Sequence, residues 1–315
     1  MAELGFFLSS EEHGPGELVQ QAQLAEANGF SSVWISDHFH PWLDDQGQSP
    51  FVWTVIGGIA ATTSLWVTTA VTCPTLRIHP VVLAQAAATS AVLLDGRFRL
   101  GVGSGENLNE HVLGHRWPPT DVRLAMLEEA VEVMRMLWEG EQVTWRGDFY
   151  EVDRARIYTL PNDTIPVPVS AFGPKALDLA ARIGDGLAST SPDAESIRTY
   201  REKGGTGPSM AGVKIAYGPD ETKAAELAHR MWRSSGVPGE LSQELAVPAH
   251  FEQAAELVTV EQLAEKIPAG PDPERHAATI RKYLEAGFDE VYVGQIGDID
   301  ETFFRFFREE IEPRL

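Results

Sequence analysis

FRLGVGSG, residues 98–105, is an apolar run closed by alternating glycines, and RLAMLEEAVEVMRMLWEG, residues 123–140, follows it with an apolar stripe at helical spacing. Leu124, Leu127, Val131, Met134 and Trp138 make the stripe, and Gly140 stops it. An apolar strand followed by an amphipathic helix is one unit of a parallel βα array, whose strands are buried on both faces. The same unit recurs in both directions. Toward the N-terminus LGFFLSS (4–10), SSVWISD (31–37) and WVTTAVTCP (66–74) read as strands. The helices between them are LVQQAQLAEANGF (18–30), FVWTVIGGIAATT (51–63) and PVVLAQAAATSAVLLDG (80–96). Toward the C-terminus VPVSAF (167–172), GLAST (186–190), VKIAYG (213–218) and DEVYVGQI (289–296) are strands, again with helices between and after them. Residues 141–165 break the rhythm as a hairpin insertion, and the Pro-rich stretch 237–260 reads as irregular. Eight βα units without a linker or internal repeat predict an α/β fold: a (β/α)8 TIM barrel with insertions, as a single domain over residues 1–315. An open doubly wound sheet is the lesser alternative.

Composition narrows the function. Asp and Glu number 46 against 25 Lys and Arg, a formal charge of −21, which repels nucleic acid and anionic lipid. The single cysteine, Cys73, excludes an internal disulfide and a Cys-rich zinc site and fits a reducing compartment. No run approaches the roughly 18 apolar residues of a membrane span, and MAELGFFLSS lacks a basic leader. We expect a cytoplasmic protein that acts on small molecules, with neither nucleic acid nor membrane as partner.

In a barrel the active site lies at the strand C-termini, and here the unusual polar residues follow strands. Ser9-Ser10-Glu11-Glu12-His13 follows the first and Asp37-His38-Phe39-His40-Pro41-Trp42 the second. Thr72-Cys73-Pro74 follows the third, Glu106 to His111 the fourth, and Phe172-Gly173-Pro174-Lys175 the fifth. In the second cluster Asp37 can orient a histidine, His38 can exchange protons near neutral pH, and Trp42 offers a flat apolar face. His38 and His40 stand two residues apart on extended chain, yet no further ligand at a recognised spacing completes a metal site. In the fourth cluster Gly101, Gly103 and Gly105 clear side chains so that a planar ring can approach the backbone, and Glu106 stands beside them as a candidate acid. There is no dinucleotide fingerprint, nucleophile elbow, phosphate loop or zinc-protease motif. Cys73 reads as a packed thiol, and Phe303, Phe304, Phe306 and Phe307 as helix packing.

Several stretches resemble one family. LGFFLSSEEHGPGELV, SDHFHPW, VTCPTLRIHP, LGVGSGENLNEH followed by RWPP, GDFYEVDRARIY and the closing EEIEPRL are similar to the luciferase-like flavin and deazaflavin oxidoreductases. Within them, the chain resembles the branch typified by the coenzyme F420-dependent glucose-6-phosphate dehydrogenases, over essentially its whole length. The resemblance implies a homodimeric barrel whose rim holds F420 open to an alcohol, sugar or carbonyl substrate. On the matching positions, it implies that Asp37 and Asn109 contact the cofactor and that His38 stands beside the reacting carbinol. Trp42 would pack near that centre, Glu106 would hand a proton to the deazaflavin, and Glu11 would be a second acid competing with His38 for the role of base. The family's non-prolyl cis peptide falls at Ala70–Val71, next to the ring. Gly105 and the loop Ser170-Ala171-Phe172-Gly173 complete the cofactor set, with bulky Phe172 where a small residue is the rule. A hydride acceptor needs two protons managed on opposite sides, and His38 or Glu11 with Glu106 suits that division.

The substrate pocket departs from that branch. A sugar phosphate calls for clustered Lys or Arg, and the matching positions are Asp193, Gln253 and Thr279, with Arg281 close to the last. The expectation is an F420-dependent oxidoreductase of an alcohol or uncharged sugar that is not a dedicated glucose-6-phosphate dehydrogenase. The alternatives are an FMN-dependent monooxygenase or reductase of the same superfamily, a non-catalytic ligand-binding barrel and an open-sheet NAD dehydrogenase.

Overall fold

Short parallel strands with no polar face need cover on both sides, and helices supply it from outside while side chains fill the inside. The computed structural model, which describes residues 2–315, is built this way. Its strands are β1 (Glu3–Leu8), β2 (Ser32–Ile35), β3 (Trp66–Thr69), β4 (Phe98–Arg99), β7 (Pro168–Ser170), β8 (Gly186–Ser189), β9 (Ser209–Ile215) and β10 (Glu290–Gln295), all parallel in the order β4-β3-β2-β1-β10-β9-β8-β7. The ring closes between β4 and β7 through Val102, whose N–H donates to Pro168 O at 2.9 Å and whose carbonyl accepts from Ser170 N at 2.8 Å. The expected barrel is therefore present. The main covering helices are α1 (Pro15–Ala27), α2 (Val52–Thr62), α3 (Pro80–Leu93), α5 (Thr120–Trp138), α6 (Pro174–Ile183), α7 (Ala194–Glu202), α8 (Glu221–Trp232), α12 (Pro273–Ala286) and α13 (Glu301–Phe306). A short α4 (Asn107–Glu110) sits on the loop after β4.

The barrel interior is aromatic. Phe7, Trp34, Ala188, Met210 and Tyr292 form one buried cluster, with Trp34 stacked on Tyr292 at 4.6 Å and edge-on to Phe7 at 6.2 Å. Gly5 makes room for this stack, since a Cβ there would lie 2.4 Å from the Tyr292 ring. At the N-terminal end, Arg99 Nη1 reaches both Glu290 oxygens at 2.8 and 2.7 Å, and Tyr292 Oη donates to Glu290 Oε2 at 2.5 Å. Outside, Phe303, Phe304 and Phe307 pack on Phe6 and Phe30 as expected of the aromatic stripe. Each fully buried Phe contributes about 1.5–3 kcal/mol by leaving water.

Four sequence expectations change. The fourth strand is not continuous over 98–105 but is β4 plus the lone bridging residue Val102. The chain breaks at Gly101, where a Cβ would lie 1.9 Å from Thr69 O. The third strand likewise stops at Thr69, and Thr72 alone resumes the pairing with Val102. The seventh strand starts at Ser209, not residue 213, because pairing with β8 and β10 recruits the stretch SMAG, which carries little strand signal by itself. Residues 237–260 are not irregular: α9 (Leu241–Glu244) and α10 (Pro248–Ala254) lie there and α11 (Val260–Ala264) starts at their end, the last two begun by local chemistry. Pro248 opens α10, and Thr259 and Gln262 form a capping box on α11. The 141–165 insertion is the expected hairpin, β5 (Val143–Arg146) with antiparallel β6 (Glu151–Ala155). Buried Glu129 pins it by accepting from Trp145 Nε1 at 3.0 Å and from the backbone N–H groups of Phe149 and Tyr150 at 3.1 and 2.9 Å.

Candidate active site

The site grows from the ends of β1 and β2. Phe7 and Trp34 face inward near the ends of β1 and β2, and the turn after β1 brings Ser9 and Glu11 against Ser36 and His38, which follow β2. Ser9 Oγ and Ser36 Oγ both donate to Glu11 Oε2, at 2.9 and 2.8 Å. Glu11 Oε1 lies 3.0 Å from His38 Nδ1 in a bent ion-pair contact. Burial opposes charging the carboxyl, but the His38 charge, its hydrogen bond and the Lys214 charge overcome it, and Glu11 is held down at about 2. Burial likewise opposes charging His38, and the Glu11 charge and hydrogen bond win again, raising His38 above its ordinary value. Glu11, not Asp37, orients this histidine. The contact engages Nδ1 and leaves Nε2 to meet a ligand. Trp42 lies edge-on to the imidazole at 5.0 Å and rests on Phe251 of α10 at 5.1 Å, so the segment expected to be irregular forms one wall of the site.

Asp37 has other partners. Arg77 Nη2 lies 2.8 Å from its Oδ1, and Thr72 Oγ1 donates to its Oδ2 at 2.7 Å. Arg77 also faces Glu110, with Nε 3.6 Å from Oε1, while its backbone N–H donates to Glu110 Oε2 at 2.8 Å. Asp37, Arg77 and Glu110 thus tie the loops after β2, β3 and β4 into one buried unit. Asn109 adds a second tie, since its Oδ1 accepts from the N–H groups of Phe39 and His40 at 2.9 and 3.1 Å. His40 Nδ1 donates to Leu108 O at 2.9 Å, so its ring serves this loop rather than joining His38.

The glycines and the loop after β7 form the other side. The Ala70–Val71 peptide is cis. A Cβ on Gly103 would lie 2.8 Å from Val71 Cγ2 and 3.6 Å from Ser170 Cβ, so these three residues adjoin. Gly105 takes a φ of +79° directly against Cys73, which only a residue without Cβ tolerates there. Glu106 follows, half-buried, its carboxyl in no hydrogen bond or ion pair among the described residues, yet close enough for its charge to raise the His38 pKa. Ala171 is buried with its N–H given to Ala188 O at 3.2 Å, whereas Phe172 stands exposed. His38, Glu11, Trp42, Glu106, Asp37 and Asn109 therefore share one mouth, as do Val71, Gly105 and Ser170.

Among the described residues, none of the three positions read as lost cations bonds to that centre. Asp193 caps α7, accepting from Glu195 N at 3.0 Å and Ser196 Oγ at 2.6 Å. Thr279 Oγ1 donates back to Arg275 O within α12, and Gln253 is exposed on α10. Sequence reasoning missed Arg77, which holds two acids, and Lys214 with Trp232. A lone lysine in the apolar strand SMAGVKI, in step with inward Met210 and Gly212, was the available signal.

The family model for luciferase-like monooxygenases matches residues 2–290. The chain belongs to that family. Among luciferase-like relatives, an F420-dependent glucose-6-phosphate dehydrogenase of Nakamurella multipartita is 37% identical over 99% of this chain and 96% of its own length. One from Mycobacterium avium is 35% identical over 100% and 99%. A solved F420-dependent secondary alcohol dehydrogenase, in complex with an F420–acetone adduct, is 33% identical with a TM-score of 0.90, covering 99% of this chain and 98% of that one. The F420-dependent tetrahydromethanopterin reductase of Methanopyrus kandleri, at 21% identity and a TM-score of 0.75, shares the fold.

Proposed function

We propose that this chain is an F420-dependent alcohol dehydrogenase that moves hydride between a carbinol carbon and the deazaflavin, with neutral alcohols or sugars rather than glucose-6-phosphate as substrates. The residues present fit the cofactor. Asn109 Nδ2 is buried with no partner among the described residues, and Gly103 keeps a side chain off the surface formed with Val71 and Ser170. Asn109, Val71, Gly105, Ser170 and the exposed Phe172 would hold the group. When bound, the deazaflavin supplies the carbon that accepts hydride.

The chain's own residues then handle the protons. His38 Nε2 accepts the hydroxyl proton as the carbinol loses hydride, and the Glu11 carboxylate stabilises the imidazolium that results. Glu11 is in this reading a positioning residue, because its oxygens are already engaged by Ser9, Ser36 and His38. Glu106, unpaired on the same mouth, supplies the second proton from its carboxyl. Trp42 and Phe251 close the wall behind His38 and keep water out.

The observation that carries the proposal is a histidine with one nitrogen fixed by a buried carboxylate and the other free, sharing its mouth with an unpartnered Glu106. The substrate part is supported by likeness to the alcohol dehydrogenase. The test is a screen of secondary alcohols and free and phosphorylated sugars, following loss of deazaflavin absorbance, with parallel titration of apoprotein by F420 and FMN. Turnover of alcohols or free sugars with F420 is expected. Preferential turnover of glucose-6-phosphate, or tight binding of FMN alone, would overturn it.

A further inference from the structure

Lys214 is the only charged residue of β9, and its partners are unusual. Met210 packs in the aromatic interior, Gly212 faces Trp34 and Phe7, and Lys214 continues that face one step nearer the mouth. Its Nζ lies 4.8 Å from the Phe7 ring centroid and 3.9 Å from that of Trp232. Among the described residues no carboxylate comes within 4.0 Å of it and no acceptor within hydrogen-bond reach, so this half-buried side chain holds its ammonium over two aromatic faces with its three donors open to a ligand or water. Burial pulls the ammonium pKa down, while the charges of Glu11 and Glu12 pull it up.

The same indole links this cation to an acid. Trp232 Nε1 donates to Glu12 Oε1 at 2.8 Å, so the Lys214 ammonium and the Glu12 carboxyl stand against one ring. Burial pushes Glu12 up to about 7, so near neutral pH it presents both a protonated and an ionised form. Trp42 packs against the cluster that contains Trp232 and lies edge-on to His38, so this indole stands between the pair and the imidazole, and Glu12 adjoins Glu11 in the chain. Neither residue is a proton carrier in the hydride chemistry described above, where the Lys214 charge only helps to keep Glu11 ionised.

We propose that Lys214 and Glu12 form a hydroxyl-recognition subsite next to the reacting carbinol, which makes diols and polyols better substrates than mono-alcohols of the same skeleton. The proposal rests on the alcohol dehydrogenase reading and names its substrate class. A neutral hydroxyl both accepts, from the ammonium, and donates, to the carboxyl, so one group satisfies both walls. An alkyl group at that place leaves the ammonium dry and unbonded, which is unfavourable. A carboxylate or phosphate there meets the Glu11 and Glu12 charges on the same side as Lys214.

The test compares isopropanol with propylene glycol, which adds one hydroxyl to the same carbon skeleton. Dissociation constants come from NMR titration of the deazaflavin-loaded protein, and kcat/KM from deazaflavin reduction. The wild type is expected to favour the glycol at least about tenfold, and K214M and E12Q are each expected to cut that preference roughly 10–100-fold. E12Q keeps shape and the bond from Trp232, so it reads the subsite even where K214M disturbs packing. No preference in the wild type, an unchanged preference in folded variants, equal losses for both ligands, or tighter binding of lactate than of the glycol would each overturn the subsite. Absence of hydride transfer from any alcohol would instead overturn the dehydrogenase reading, while the ratio of dissociation constants still reports on Lys214 and Glu12.

Discussion

Replacing Glu11 by Gln removes a charge from the centre of the site with almost no change of shape. The amide keeps a carbonyl to accept from Ser9 and Ser36, and only the negative partner of His38 is lost. Holding the carboxyl at about 2 instead of 4.5 corresponds to about 3 kcal/mol, at 1.36 kcal/mol per tenfold change in acidity. Removing one member of a buried pair typically costs about 3–5 kcal/mol, which agrees. Glu11, with its depressed pKa, lends stability that is complete above 4.5 and fades as the pH falls toward 2. His38, with its raised pKa, lends stability that is complete below 6.5 and fades as the pH rises through its folded value. The wild-type advantage over E11Q is therefore widest between these limits, at about 3 kcal/mol, and narrows on either side. Urea unfolding of both proteins at roughly pH 3, 5.5 and 9 measures it, with equal slopes confirming that only stability changed. The same variant relieves His38 of its partner, so the rise of kcat/KM for alcohol oxidation with pH moves to lower pH. Equal midpoints at all three pH values, or a difference that grows toward the extremes, would refute the ion-pair account.

H38A and E106Q are each expected to lower kcat by roughly 10²–10⁴ while deazaflavin affinity, read by fluorescence quenching, holds within a few-fold; a loss below tenfold in either removes that residue from proton transfer. R77M strands Asp37 and Glu110 without their shared cation and should cost about 3–5 kcal/mol in urea unfolding; a change under 1 kcal/mol would mean that the three loops are held otherwise. G101A places a methyl 1.9 Å from Thr69 O and should destabilise by about 1–3 kcal/mol or more, whereas G16A, with nothing within 4 Å of its new methyl, should be neutral or slightly stabilising. Thermal melts of the two side by side decide the matter.

The barrel was legible because its code is local. Leu124 to Trp138 at helical spacing, and runs such as SVWI with all four residues buried, state helix and two-sided strand without reference to anything distant. His38, Trp42 and Glu106 were legible because polar residues collect after strands. The partnerships were not. Asp37 is adjacent to His38 in sequence, yet neighbours on extended chain point to opposite sides, so the histidine meets Glu11 from the turn after β1 and Asp37 meets Arg77 from beyond β3. The fold of residues 237–260 was hidden for a related reason. Its two helices, α9 and α10, are too short to show periodicity, and they hold their place through single contacts such as Asn107 Nδ2 with Glu244 O at 2.9 Å and Trp42 with Phe251. The early end of β3 at Thr69 depends on packing between two backbones that no local pattern encodes.

The Arg99, Glu290 and Tyr292 closure lies at the opposite end of the staves from His38 and Glu106. An anchor so far from the chemistry separates mutational tolerance from turnover. Exchange of whole rim segments, residues 237–260 first among them, can retarget the enzyme to new compounds while the foundation that keeps the staves in register stays untouched.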